Sequence, residues 1–139
     1  MKKSFYFVAI FILFYSCMDR VETRNISIIN KSNQIIYYLR SESDSFSIST
    51  TSDKINIISK YNMVNKDSTV FVGDKPRNWD NYIEVGCKDG RLRLFIISKD
   101  TINKYGWKKV ISNNIYTKVY RMNMDDIKKC KWKVIFYGK

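Results

Sequence analysis

Apolar residues fall into two regimes along this chain. From Phe5 to Tyr15 they are unbroken, whereas from Asn25 onward they come in short runs divided by Ser-, Asn- and Asp-rich breaks. Many of these runs alternate with polar residues, which places apolar side chains on one face of a half-buried strand. "NISIIN" (25–30) and "IIYYLRS" (35–41) flank the turn residues "KSNQ" and predict a hairpin. "FSIST" (46–50) and "KINIISKY" (54–61) read as weaker strands, and "DSTVFVG" (67–73) as a better one closed by Gly73. "GRLRLFIIS" (90–98) is the clearest: Leu92, Leu94 and Ile96 share a face, Arg91 and Arg93 lie opposite, and Asp89-Gly90 makes the turn that enters it. "IYTKVYRM" (115–122) and "KWKVIFY" (131–137) follow, the last with Trp132, Val134 and Phe136 on one face.

Helical signals are fewer. "DKPRNWDNYIEVG" (74–86) holds the only proline and reads as a loop or one helical turn. Asp100 fits an N-cap for a brief turn through Tyr105, stopped at Gly106. Asn123 with Asp126 three residues on fits a capping box, and Lys128 and Lys129 suit the negative end of the short helix that follows. The pattern predicts a mainly β protein, a small antiparallel β-sandwich, immunoglobulin-like or similar, with one or two short helical turns.

The apolar run at the start is a different object. Lys2 and Lys3 precede 11 apolar residues, and small Ser16 follows. Eleven helical residues span only about 17 Å, against about 30 Å of bilayer core, so the pattern is a secretory signal and not a membrane span. Phe14-Tyr15-Ser16-Cys17 resembles the lipobox of bacterial lipoproteins. That resemblance implies that residues 1–16 are removed and that Cys17 is acylated. Residues 17–24 then become a lipidated linker ahead of a single β-rich domain, 25–139.

Length and composition agree with one domain. The chain has 139 residues, is 45% hydrophobic and 15% aromatic, and needs no metal to build a core. Formal charge is +12, and Lys104–Lys139 carries ten basic residues against Asp125 and Asp126. That bias favours anionic partners or a solvated, solubilising surface.

Histidine is absent, which excludes Ser-His and Cys-His nucleophile pairs and His-based acid–base chemistry. Cys87 and Cys130 cannot complete a tetrahedral zinc set, so neither metal nor cofactor is expected. With Cys17 lipidated, these two cysteines permit one disulfide in an oxidising compartment, with two partly buried thiols as the favoured alternative. Asp125-Asp126 suits capping better than catalysis, and Asp80 with Glu84 is a thin basis for a carboxylate pair. Trp79, Tyr82, Tyr105 and Trp107 offer a candidate ligand surface for glycans, set against the commoner fate of aromatics in a core.

"LRLFIISKDTINKYGWKKV" (92–110) and "KVYRMNMDDIKKCKWKVIFY" (118–137) resemble a family of small uncharacterised lipoproteins from Bacteroidota-type bacteria. Asp100, Thr101 and Trp107, then Tyr120, Asp126 and Trp132, carry the likeness, with Met122 and Ile127 where Leu is usual. The resemblance implies a localisation and a fold but no activity. The expectation is a non-catalytic binding or assembly module, anchored by Cys17 in the cell envelope at the outer membrane. Its partner would be an envelope protein or anionic glycan and not nucleic acid. The alternative is an immunity or inhibitor lipoprotein acting against a toxin or hydrolase.

Overall fold

The structure, a computed structural model, describes residues 24–46, 50–73 and 76–138. The leader 1–16, Cys17 with its linker to Thr23, and the centre of the strand candidate 46–50 lie outside the described residues. Seven strands occur among the described residues: β1 (Ser27–Asn30), β2 (Ile36–Ser41), β3 (Met63–Val64), β4 (Thr69–Phe71), β5 (Leu92–Ser98), β6 (Lys118–Met122) and β7 (Lys133–Phe136). Between them lie α1 (Ser52–Tyr61), α2 (Trp79–Asn81), α3 (Lys99–Tyr105), α4 (Trp107–Ser112) and α5 (Met124–Lys129). A π turn over Tyr82–Gly86 continues α2.

The strands form two sheets, β3-β2-β5-β6 and β4-β1-β7. β5 is buried at all seven positions because both its faces are covered. On one side Ile36, Tyr38, Leu94 and Ile96 share a core with Ile28, Val72, Val134 and Phe136 of the three-stranded sheet and its flanks. On the other side Tyr37, Leu39, Phe95 and Ile97 pack beneath Ile58, Ile102, Val110 and Ile111 from α1, α3 and α4. The order of layers is therefore small sheet, large sheet, helices.

This is a mixed fold, with 36% of the described residues in helix and 28% in strand, and it departs from the sequence reading in five places. The small sheet is not wholly antiparallel: β1 and β7 run parallel, with Ser27 opposite Lys133 and Asn30 opposite Phe136. The predicted first hairpin does not form, since β1 and β2 belong to different sheets. The cause is Asn30, fully buried at the end of β1. Its Nδ2 donates to the carbonyls of Gln34 (2.8 Å), Val64 (3.1 Å) and Asn65 (3.2 Å), and its Oδ1 accepts from Ser32 N (3.0 Å) and Oγ (2.7 Å). That one amide fixes the crossover from the small sheet to the large one.

The third departure is "KINIISKY", which is helix. Its Ile content reads as strand, yet Ile58 is buried and Ile55 packs against the helical core, one helical turn apart, while Ile57 and Tyr61 are exposed. Asp53 in the first turn and Lys60 in the last suit the helix dipole. Fourth, α3 is capped by Ser98, whose Oγ accepts from Thr101 N at 3.2 Å, so Asp100 occupies the first turn and not the cap. Fifth, Trp107 opens a further helix. Gly106 makes this possible with φ 73° and ψ 151°, a region that only glycine enters readily, and Trp107 then meets Tyr37 edge-on at 5.0 Å. The Asn123/Asp126 capping box forms as expected, with reciprocal bonds of 2.9 and 3.1 Å.

Asn30→Ala would leave three carbonyls of the crossover and β3 without their shared donor. Ser32 and Ser68 still reach the Gln34 and Asn65 carbonyls, so a loss of about 1–3 kcal/mol in unfolding free energy is expected, measured by urea denaturation. A change below about 0.5 kcal/mol, the size of an ordinary surface substitution, would show that Asn30 does not hold the crossover.

Candidate functional site

The strand directions give the domain two poles. β1 runs from the side of Arg24 to that of Lys31, and β7 runs alongside it to Phe136. In the large sheet Ile36, at the start of β2, pairs with Ser98 at the end of β5, and β6 begins beside Ile96. The pole where these ends meet carries an open groove of about 870 Å³. Lys31 and Gln34 of the crossover, the first turns of α3, Ile115–Thr117 and Phe136–Gly138 line it. The opposite pole holds Arg24, Trp79, Trp132 and α5. Trp79 Nε1 donates to Arg24 O at 3.2 Å, and the Arg24 guanidinium lies 5.0 Å from the Trp132 ring.

The wall of the groove is a chain of hydroxyls. Ser98 Oγ lies 2.9 Å from Thr101 Oγ1, which lies 3.1 Å from Thr117 Oγ1, and Thr117 Oγ1 accepts from Ser98 N at 2.9 Å. Gln34 Oε1 accepts from Asp100 N at 3.2 Å, so the crossover braces the start of α3. Tyr105, Tyr116 and Tyr137 stand around the groove, with Lys104 Nζ 5.0 Å from the Tyr105 ring centre and Lys109 Nζ 5.8 Å from it. Asp100 is the one carboxylate among the lining residues.

A charged network braces the other pole. Arg93 alternates with Leu92 and Leu94 as expected, but its side chain is 1% exposed and not solvated. The loops carrying Asp44 and Lys88–Arg91 enclose it. Arg93 Nε donates to Asp44 Oδ1 (3.1 Å), while Nη1 and Nη2 donate to the two carboxylate oxygens of Asp89 (2.7 and 3.1 Å). Nη1 also meets the carbonyls of Lys88 and Arg91. Asp89 reaches this position because it and Gly90 are both left-handed, φ 54° and 64°. Arg121 Nε donates to the same Asp44 oxygen at 3.0 Å. Hydrogen bonds from Arg93, and next from Arg121, hold the Asp44 carboxyl below the usual carboxylate range, and Arg93 does the same to Asp89. Every partner here is another residue of the chain, so the network pins two loops to β5.

The four aromatics singled out as a ligand surface do not come together. Trp79 is fully buried, edge-on to Tyr82 (6.0 Å) and Trp132 (6.1 Å) in the core between the sheets. Tyr82 packs against that core too, and burial is the main cause that pushes its hydroxyl up to about 12. Tyr105 and Trp107 lie on the opposite, helical side of the large sheet. Only Tyr105 reaches the groove. Alternation assigns a side chain to a face, but it cannot say that both faces of one sheet are covered. Tyr116, Thr117 and Tyr137 are absorbed by the sequence reading into the strands 115–122 and 131–137, whereas the strands begin at Lys118 and stop at Phe136 and leave these residues at the groove. Polar and aromatic residues clustered at those ends were the available signal.

Cys87 and Cys130 are both thiols. Cys87 is buried, chiefly so its thiol is pushed up, which leaves it a poor nucleophile. Cys130 is half-buried and its Sγ–H donates to Ile127 O at 3.2 Å. Cys17 lies outside the described residues. Asp80 faces Lys128 Nζ at 3.7 Å, and the π turn carrying Glu84 breaks the spacing that would align the two carboxyls. Among the described residues no group of three potential ligands is placed to hold a metal ion.

Two outcomes test this geometry. Asp44 and Asp89 have folded values below their ordinary ones, so the unfolded chain takes up their protons first as pH falls. Their stabilisation is complete above about pH 4 and disappears as pH drops through the folded values. Between pH 5 and pH 2 the urea midpoint of the wild type should therefore fall more steeply than that of an Asp44→Asn/Asp89→Asn variant; equal slopes would contradict the network. For the thiols, iodoacetamide should modify Cys130 well before Cys87 in the native protein and both together in denaturant, as read by peptide mass mapping.

Comparison of the chain with models of protein families, with curated proteins and with solved structures finds no match.

Proposed function

We propose that this chain is a non-catalytic binding module, anchored through an acylated Cys17 to the outer membrane of a bacterial envelope. The observation that carries the reading is the position of the groove. It lies at the pole where β1 and β7 end, whereas Arg24, the described residue nearest Cys17 in the chain, lies where β1 begins. Residues 17–23 span at most about 25 Å when extended, so a lipid on Cys17 keeps the Arg24 pole near the bilayer. The groove lies at the pole farther from that tether.

The lining supports binding over catalysis. Its hydroxyls bond to one another and to backbone, its one carboxylate is Asp100, and the chain has no histidine to activate a nucleophile. No helix among the described residues is long and apolar enough to cross a membrane. The lipobox-like run ending in Cys17 and the likeness of 92–110 and 118–137 to small envelope lipoproteins support the same placement. The shared core of the two sheets supports reading the β layers as a small sandwich, to which the helices add a third layer.

Metabolic labelling with an alkyne fatty acid should tag the wild-type protein and fail on Cys17→Ala, which should also leave the membrane fraction. Equal labelling of the two would overturn the anchor.

A further inference from the structure

The groove has a ligand chemistry of its own, and we infer that it binds an acidic saccharide whose rings carry carboxylates, a uronate oligomer. The inference rests on the binding-module reading and names its ligand class. Three features converge. The first is aromatic: Tyr137 is 72% exposed and Tyr116 38%, and both stand at the groove with half-buried Tyr105. Exposed tyrosine faces at a cavity suit the flat C–H faces of sugar rings, while their hydroxyls suit the ring substituents. A volume of about 870 Å³ falls among small-ligand sites, which run from roughly 300 to 1,000 Å³.

The second feature is a surplus of donors. Ser98, Thr101 and Thr117 bring three O–H groups to two mutual contacts, so one hydroxyl hydrogen is left to donate outward. Gln34 is oriented by the bond from Asp100 N to its Oε1, which leaves its NH₂ as a donor at the groove. A ligand matching this wall presents oxygen acceptors. The third feature is charge. Lys31 stands 3.8 Å from Asp67, so the cation offered to a ligand is chiefly Lys104, which is held over Tyr105, where an ammonium can meet a carboxylate beside a stacked ring. Phosphate is a poorer match, because the lining has neither an arginine fork nor a glycine-rich cradle of backbone N–H groups.

The test uses the full chain in detergent, with titration calorimetry against short oligogalacturonate, alginate and hyaluronan fragments. The paired control is the methyl ester of the oligogalacturonate, which keeps the rings and removes the charge. At least one uronate probe should bind, the ester should bind about tenfold more weakly, and Tyr137→Ala and Lys104→Gln should each cost about tenfold, the size of one stacking or charge contact. Tyr137 is exposed enough to be replaced without unfolding the domain, and Lys133→Gln on the outer face of β7 should leave affinity unchanged. Binding of no uronate probe, equal binding of acid and ester, indifference to both groove variants, or displacement by equimolar inorganic phosphate would each overturn the inference. Crosslinking in intact envelopes separates its failure from that of the parent reading. If the wild type captures an envelope component that Tyr137→Ala loses while no uronate binds, the saccharide falls and the binding module stands; if there is neither capture nor binding, both fall.

Discussion

Arg93 sits within a strand that has no exposed position, and the burial of its guanidinium constrains much of the domain. A buried charge must be paired and hydrogen-bonded. Asp44 and Asp89 supply the carboxylates, and Nη1 also donates to the carbonyls of Lys88 and Arg91. To deliver Asp89, residues 89 and 90 turn left-handed; to deliver Asp44, the chain after β2 folds back over the sheet. The same burial explains the layering. A central strand can be covered at every position only when something packs on each face, here the small sheet and the helices.

At the other pole Asn30 has a comparable role without charge. Its amide joins β1, the crossover and β3, and it sets the chain on a path from one sheet to the other. The crossover then supplies Lys31 and Gln34 to the groove, so the element that separates the sheets also builds the candidate site. Two consecutive strained residues stand at the pole away from the groove. Lys131 and Trp132 are both left-handed, at φ 53° and 64°, which costs of order 1–3 kcal/mol each in non-glycine residues. Trp132 Nε1 is buried without a hydrogen-bond partner among the described residues, and the indole packs in the core between the sheets against Trp79 and Arg24.

Legibility in the sequence follows the range of the interaction. β5 and β7 are where alternation puts them, because a strand with one strongly apolar face declares its period locally. Trp132, Val134 and Phe136 are indeed buried while Lys133 is exposed. The Asn123/Asp126 box is equally local, two side chains bonding within one turn. Residues 54–61 are misread because their β-branched content favours strand. What makes them helical is the apolar sheet beneath, which accepts Ile55 and Ile58. The aromatic surface is misread for a related reason: Trp79 and Tyr105 look alike in sequence, yet one lies between two sheets and the other beside a groove.

Local chemistry is legible in the chain alone: the last strand with its single apolar face, the Asn123/Asp126 capping box, the Asp-Gly turn and the lack of histidine. Each of these depends on neighbours a few residues away, or on composition alone. Strand pairing, the parallel run of β1 and β7, the burial of Arg93 and the gathering of Tyr105, Tyr116 and Tyr137 with Lys104 around one groove emerge in the folded chain alone. These are contacts between residues tens of positions apart. They are selected by which faces are left to be covered once the local elements exist, and a periodic pattern holds no record of that choice.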